Sequence, residues 1–552
     1  MGSMIESEMR SGAEKILLNK VSEIQSRIAS IFEEREKEAV IEVFRLLDLM
    51  FVSQMLGGDV DEDARLRAYY VRCGVPEALA PILAKAHERP RGVPWGKSHE
   101  LLGSLIATCL EELGKLVDLL RLVRISAHGV ATVEVKTKHI QITTTTDAKE
   151  RFARRLLKSS YLEQPPKGDL PTEAVKERMR LYVRHDDVYH IAYESDSEVV
   201  SQHLQLAEGF RSRFPESEAI PENSIIGGRP FKAWRRECER ALGRTLAHIN
   251  FSLLLCQDRP ATRLRDVLTM FCTKADAAAV LNDGEGAEVG GDQVLRALTL
   301  EPEDLEEWSK TYEPPASQYV SLDRDFVLIP CFGMLGNPYY AMFRYIRKHH
   351  RKDWDKAVDA REGVFREDLA SVFPAPRYVV PPHGYKLKRS DGTHLTDIDA
   401  VIMDCVTGSV ALVQLKWHDP YGRSISERES RRKNLARATD WVEKVNEWIG
   451  GRTCAEISCA LQLPPSECTR SPEIFVISRY AARFAGDDRV DLGATWLSWP
   501  ELKYVVAHAN DDPIRDVAKL SEEMLIGEAE GEVMPFTRKF QFGDLGVTLQ
   551  VG

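Results

Sequence analysis

The chain has 552 residues, 43% hydrophobic and 29% charged, a balance that supports several buried cores and excludes a disordered or low-complexity protein. A formal net charge of −11 gives no global attraction for a polyanion, so any nucleic-acid contact must come from local basic patches. The longest apolar runs, such as Ile16-Leu17-Leu18 and Val410 to Val413, fall far short of the roughly 20 residues that span a bilayer, and no membrane partner is expected. Residues 1–3, ahead of Met4, read as an expression scar, and the N-terminal segment lacks the order of a secretory signal. Ten scattered cysteines with no CxxC pair point to reduced thiols and a cytoplasmic setting.

Residues 4–124 read as a helical N-terminal region. Leu17, Val21, Ile24, Ile28 and Ile31 recur at helical spacing, and Val40, Phe44, Leu47 and Phe51 continue the stripe. Such a stripe suits an intramolecular bundle face or a homo-oligomer seam, and the first is favoured because the pattern lasts for few heptads. Residues 125–335 read as a mixed α/β middle region, opening with β-branched residues from Val130 to Thr146. Glu134-Val135-Lys136 spells ExK there but follows no aspartate-bearing strand, and His185-Asp186-Asp187 with His190 share no face. Both read as structural.

The stretch that carries chemistry begins near Gly363. Apolar residues at 365, 369 and 372 or 373 predict a helix that ends before Pro374 and carries Glu367. Leu395 to Met403 predicts a strand with Asp397 and Asp399 on one face, and Val410 to Lys416 its hairpin partner, with Gln414 and Lys416 on one face. Folded near Val406, the hairpin sets Asp399 opposite Gln414 and Asp397 opposite Lys416. A helix from Leu435 to Ile449, a buried strand at Ile474 to Ile477, a capping box at Ser498 to Glu501 and a tail over 526–552 that adds an edge hairpin complete the expected elements.

Acid, amide and amine together suit phosphodiester hydrolysis. Carboxylate and amide oxygens hold hard cations such as Mg²⁺ or Mn²⁺, and a lysine beside them positions water or stabilises developing negative charge. In this assignment Asp399, Gln414 and Glu367 are ligands, Lys416 is the water-positioning cation, and Asp397 is a secondary candidate. Arg347, Lys348, Arg351 and Lys352 precede the motif, and Arg423, Arg431, Arg432 and Lys433 come after it. These two clusters suit a phosphate-backbone track.

The order Glu367, Asp399, Gln414-Leu415-Lys416 and a following helix resembles the PD-(D/E)xK nuclease superfamily, the restriction-endonuclease-like fold, in its QxK, Mrr-like variant. The resemblance covers about 150 residues and its motif is short. It implies a multidomain α+β protein with a nuclease domain over 336–525 built on a central mixed sheet. It further implies a Mg²⁺- or Mn²⁺-dependent endonuclease acting on DNA, with RNA left open, in a bacterial restriction or antiviral defence role that answers to a trigger or protein partner. Glutamine in place of the commoner acid removes one negative ligand. The alternative expectation is an inactive nuclease-fold scaffold that binds nucleic acid or a protein.

Overall fold

The computed structural model describes residues 2–57, 61–144, 148–162, 171–184, 190–282, 290–311, 314–419, 424–464, 471–482, 493–530 and 535–552. The chain is mixed α and β and divides into two compact units. One comprises Glu8–Arg124 and Pro165–Asp355, the other Met1–Ser7, Ile125–Gln164 and Lys356–Gly552. Among the described residues no helix is long and apolar enough to cross a membrane.

The first unit opens with helices Gly2–Ile31, Glu36–Met55, Glu62–Glu88 and Glu100–Ile125. Leu17, Val21, Ile24 and Ile28 are buried within the chain, while Ile31 is exposed. Gln25 Nε2 donates to Glu77 at 2.7 Å and Arg27 pairs with Glu112, which docks the first helix against the third and fourth. The stripe therefore serves an internal bundle face, the favoured of its two readings, with four of its apolar side chains covered within the chain. Gly114 is required where the third and fourth helices cross, since a Cβ there would lie 1.7 Å from the Tyr70 carbonyl oxygen. The same unit holds helices Ser197–Gly209 and Phe231–Asp258 and a four-stranded sheet ordered Met270–Thr273, Phe326–Ile329, Tyr319–Ser321, Thr299–Leu300.

The second unit is organised on a five-stranded mixed sheet ordered Tyr378–Val379, Ala400–Asp404, Val410–Lys416, Glu473–Ser478, Thr495–Ser498. Its first three strands are antiparallel and its last two join in parallel. Side chains alternate between two apolar cores. Ala400, Ile402, Ala411 and Val413 face Phe365 and Leu369 of the helix Arg361–Val372, with Leu502, Val505, Ile514 and Val517 completing that side. Val401, Met403, Val410 and Leu412 face Trp441, Val442, Val445 and Trp448 of the helix Ile425–Ile449. The sheet is thus covered on both faces, which explains its near-continuous apolar strands. Ser498 and Glu501 form the expected capping box at the start of the helix Trp499–His508.

Asp404 pins the hairpin turn. It is fully buried, accepts from Val406 N at 2.8 Å and pairs with Arg377 at 2.8 Å. Removing a buried carboxylate so bonded takes the ion-pair partner from Arg377, which keeps only its bond to the Asp511 carbonyl, and leaves the turn amide without its acceptor. Asp404→Ala is expected to lose about 2–4 kcal/mol in urea denaturation.

Two domain boundaries differ from expectation. The tail does form a hairpin, Phe536–Phe542 with Leu545–Val551, but Leu545–Val551 pairs in parallel with His139–Thr144, in a separate sheet that also contains Ala131–Lys136. Residues 125–164 therefore belong with the C-terminal unit, and 165–355 with the helical one. Strand pairing across most of the chain leaves no local signature in composition. Glu134 and Lys136 are exposed on an outer strand, in keeping with their structural reading.

Candidate functional site

The chain reaches the central sheet through the strand His394–Ile398, which pairs with Tyr385–Lys388 in a separate two-stranded ribbon. It bends at Asp399 and continues as Ala400–Asp404. Ala400 lies opposite Val413 and Asp399 N donates to Val413 O at 3.1 Å, so the register places Asp399 beside Gln414 as predicted. Asp397 does not reach Lys416. The bend carries it away with the ribbon, where it lies across from Lys386 and takes a 3.0 Å bond from exposed His394. It is not part of the cluster.

Asp399 and Gln414 are 8% and 7% exposed. Leu415 N donates to Asp399 Oδ2 at 2.7 Å, and Gln414 Nε2 donates to the same oxygen. Lys416 ends the strand, half-buried, with its carbonyl accepting from Arg479 N at 2.8 Å.

The preceding helix supplies an acid, though a different one from that expected. At 100° per residue, Glu362 lies about 60° from the core-facing Phe365, whereas Glu367 lies about 160° away, on the far side. Glu367 is accordingly exposed. Glu362, itself half-exposed, pairs at 2.5 Å with Arg366, whose Nε donates to Asp399 O at 2.6 Å and whose Nη1 donates to Pro382 O at 3.2 Å. Arg366 ties the helix to the bend in the aspartate strand. Glu362 and Arg366 were legible as an i, i+4 ion pair beside the apolar face.

Burial is the main cause of the unusual electrostatics here. It pushes the Asp399 carboxyl up to about 6; the Leu415 amide opposes that shift, Glu362 adds to it, and Lys416 and Gln414 oppose it. Burial also pulls the Lys416 amine below its ordinary range, opposed by Asp399 and Glu362 and reinforced by Arg437. His418, two residues on, is pulled down to about 4 by burial and by the nearby Arg431 and Lys416 cations, so it is neutral at pH 7. An acid and an amine that both resist ionisation stand together, an arrangement typical of reactive sites.

The basic clusters divide. Arg347, Lys348, Arg351 and Lys352 lie in the other compact unit, where Lys348 pairs with Asp304 at 3.3 Å and Arg351 with Asp355 at 3.0 Å. Arg423 lies outside the described residues, as do His185, Asp186 and Asp187 of the middle region. On the helix Ile425–Ile449, Arg431 donates to the Asp419 carbonyl, and Arg432 and Lys433 pair with Glu429 at 3.0 and 3.8 Å. Arg437, on the same helix and in the same run of basic residues, helps to hold the Lys416 amine below its ordinary range.

Family models, curated proteins and solved structures were all compared with this chain, and none matches. Among the described residues no three His, Cys, Asp or Glu side chains gather as a metal cluster. The Asp399 site instead offers a mixed set of two carboxylates and one amide.

Proposed function

We propose that this site hydrolyses phosphodiester bonds in DNA as a metal-dependent endonuclease of the PD-(D/E)xK type, within a restriction or defence effector. The observation that supports the reading is the meeting of Asp399, Gln414 and Lys416 at one end of the paired central strands, with Glu362 acting on both charged groups. Asp399, Glu362 and the Gln414 carbonyl would hold the ion. When bound, the ion supplies positive charge against the phosphate and lowers the pKa of water. Lys416 orients the attacking water and stabilises negative charge as it develops. Arg366 holds the bend that presents Asp399, and Arg437 adds positive potential beside the lysine.

The hydrogen bond from Gln414 to Asp399 favours a second reading, a scaffold whose former metal site now satisfies itself. Paired variants separate the acids and test the leading reading. Glu362→Gln is expected to reduce Mg²⁺-dependent cleavage of plasmid DNA on the order of 10- to 100-fold, while Glu367→Gln leaves it within about twofold, since Glu367 is solvated away from the cluster. The reverse ranking would reinstate Glu367 and sink the present assignment.

A further inference from the structure

The helical unit contains a 630 Å³ cavity between the helix Phe231–Asp258, the helix Ser197–Gly209 and the four-stranded sheet. Its size is that of a small-molecule pocket. Its walls are mostly apolar, with Phe251, Met270, Val280 and Ile329 among them. Against this background, Arg236, Arg240 and Arg244 fall one turn apart on the same face of the long helix and all line the cavity.

The three arginines have different surroundings. Arg236 is exposed. Arg240 is paired with Glu237 at 2.7 Å. Arg244 has both Nε and Nη2 buried without a hydrogen-bond partner. A second group is also unpartnered: Gln318, 2% exposed, has its Oε1 buried and without a donor. The lining carboxylate, Asp276, already accepts from Thr273 Oγ1 at 2.6 Å. His248, also on the wall, is engaged by Tyr193 Oη at 3.0 Å, and burial lowers it to about 4, so it adds no charge at pH 7. Arg244 also acts electrostatically on the Tyr193 and Tyr319 hydroxyls. Two buried, idle guanidinium nitrogens and a buried amide oxygen are costly unless something fills the space between them.

We infer that this cavity binds a small organic anion, an apolar body bearing an anionic group for Arg244 and a hydrogen-bond donor for Gln318 Oε1. The site is independent of the nuclease reading, because it lies wholly in the other unit. Charge-assisted bonding to Arg244 supplies orientation, and the apolar walls supply burial.

Calorimetric titration of the full chain with three probes tests the inference: hydroxynaphthoate, which carries both groups; naphthoate, which lacks the donor; and naphthol, which lacks the anion. The wild type is expected to bind hydroxynaphthoate about tenfold or more tightly than naphthol. Arg244→Met, matched to the wild type in melting temperature, should abolish that preference and leave naphthol binding unchanged. Gln318→Leu should bring hydroxynaphthoate to the level of naphthoate. No saturable binding, equal affinity for hydroxynaphthoate and naphthol, or an unaltered preference in Arg244→Met would overturn the proposal. Unaltered hydroxynaphthoate binding in Gln318→Leu would overturn the role of Gln318.

Discussion

Asp399→Asn is expected to stabilise the fold at pH 7.5 while reducing cleavage about 10³-fold or more. The two effects share one origin. Burial raises the folded-state carboxyl from its ordinary 3.8 to about 6, so the folded chain holds this proton more tightly than the unfolded chain does. Stability from this group is therefore greatest below about pH 4. It declines as pH rises through the window from about 4 to 6 and is lost above it. Asparagine keeps the shape and an acceptor for the Leu415 amide but cannot ionise. Its advantage is expected to be about 1–3 kcal/mol at pH 7.5 and close to zero at pH 4. Cleavage falls because a neutral amide replaces the principal charged ligand, and each 1.36 kcal/mol lost in the transition state costs tenfold. Denaturant titrations at the two pH values, with a cleavage assay alongside, check both halves. A variant no more stable than wild type at pH 7.5 contradicts the burial argument, and one that cuts normally contradicts the site.

Lys416→Met is expected to reduce cleavage by about 10²- to 10³-fold, the usual cost of removing a group that stabilises developing charge. It also has a signature at equilibrium. Lys416 lowers the Asp399 carboxyl by its positive charge. Without it the carboxyl rises further, and the decline of stability with pH moves to higher pH than in the wild type. Carboxyl titration followed by NMR reads this directly. An unchanged Asp399 midpoint in Lys416→Met would show that the two groups do not interact, whatever the effect on cleavage.

The local parts of this architecture were legible in the sequence. Near-continuous apolar residues around Asp399 and before Gln414 marked doubly covered strands, and their register came from the hairpin centre. The Ser498 and Glu501 capping box and the apolar stripe of Leu435, Ala438, Val442 and Val445 emerged as read. Three features were not legible, for different physical reasons. The bend at Asp399 removes Asp397 from the site because the strand changes pairing partner there, from the ribbon to the central sheet. The choice of Glu362 over Glu367 depends on which flank of the helix meets the strand end; the face carrying Phe365 and Leu369 was readable, but its docking on the sheet was not. The tail hairpin joins residues 139–144 through a pairing that no sequence window spans. The basic clusters were visible as charge, but the acids that pair with them were not: Asp304 and Asp355 for Lys348 and Arg351, and Glu429 for Arg432 and Lys433.

The nuclease assignment is tested most directly by cleavage of supercoiled and linear DNA with Mg²⁺ or Mn²⁺ by the wild type, Asp399→Ala and Lys416→Ala at matched folding. A single-stranded RNA of similar length serves as a parallel substrate. Metal-dependent cutting of DNA by the wild type, lost in both variants, is the expected result. Equal cutting by all three proteins, or a wild type that binds DNA without cutting at any metal concentration, would contradict the assignment.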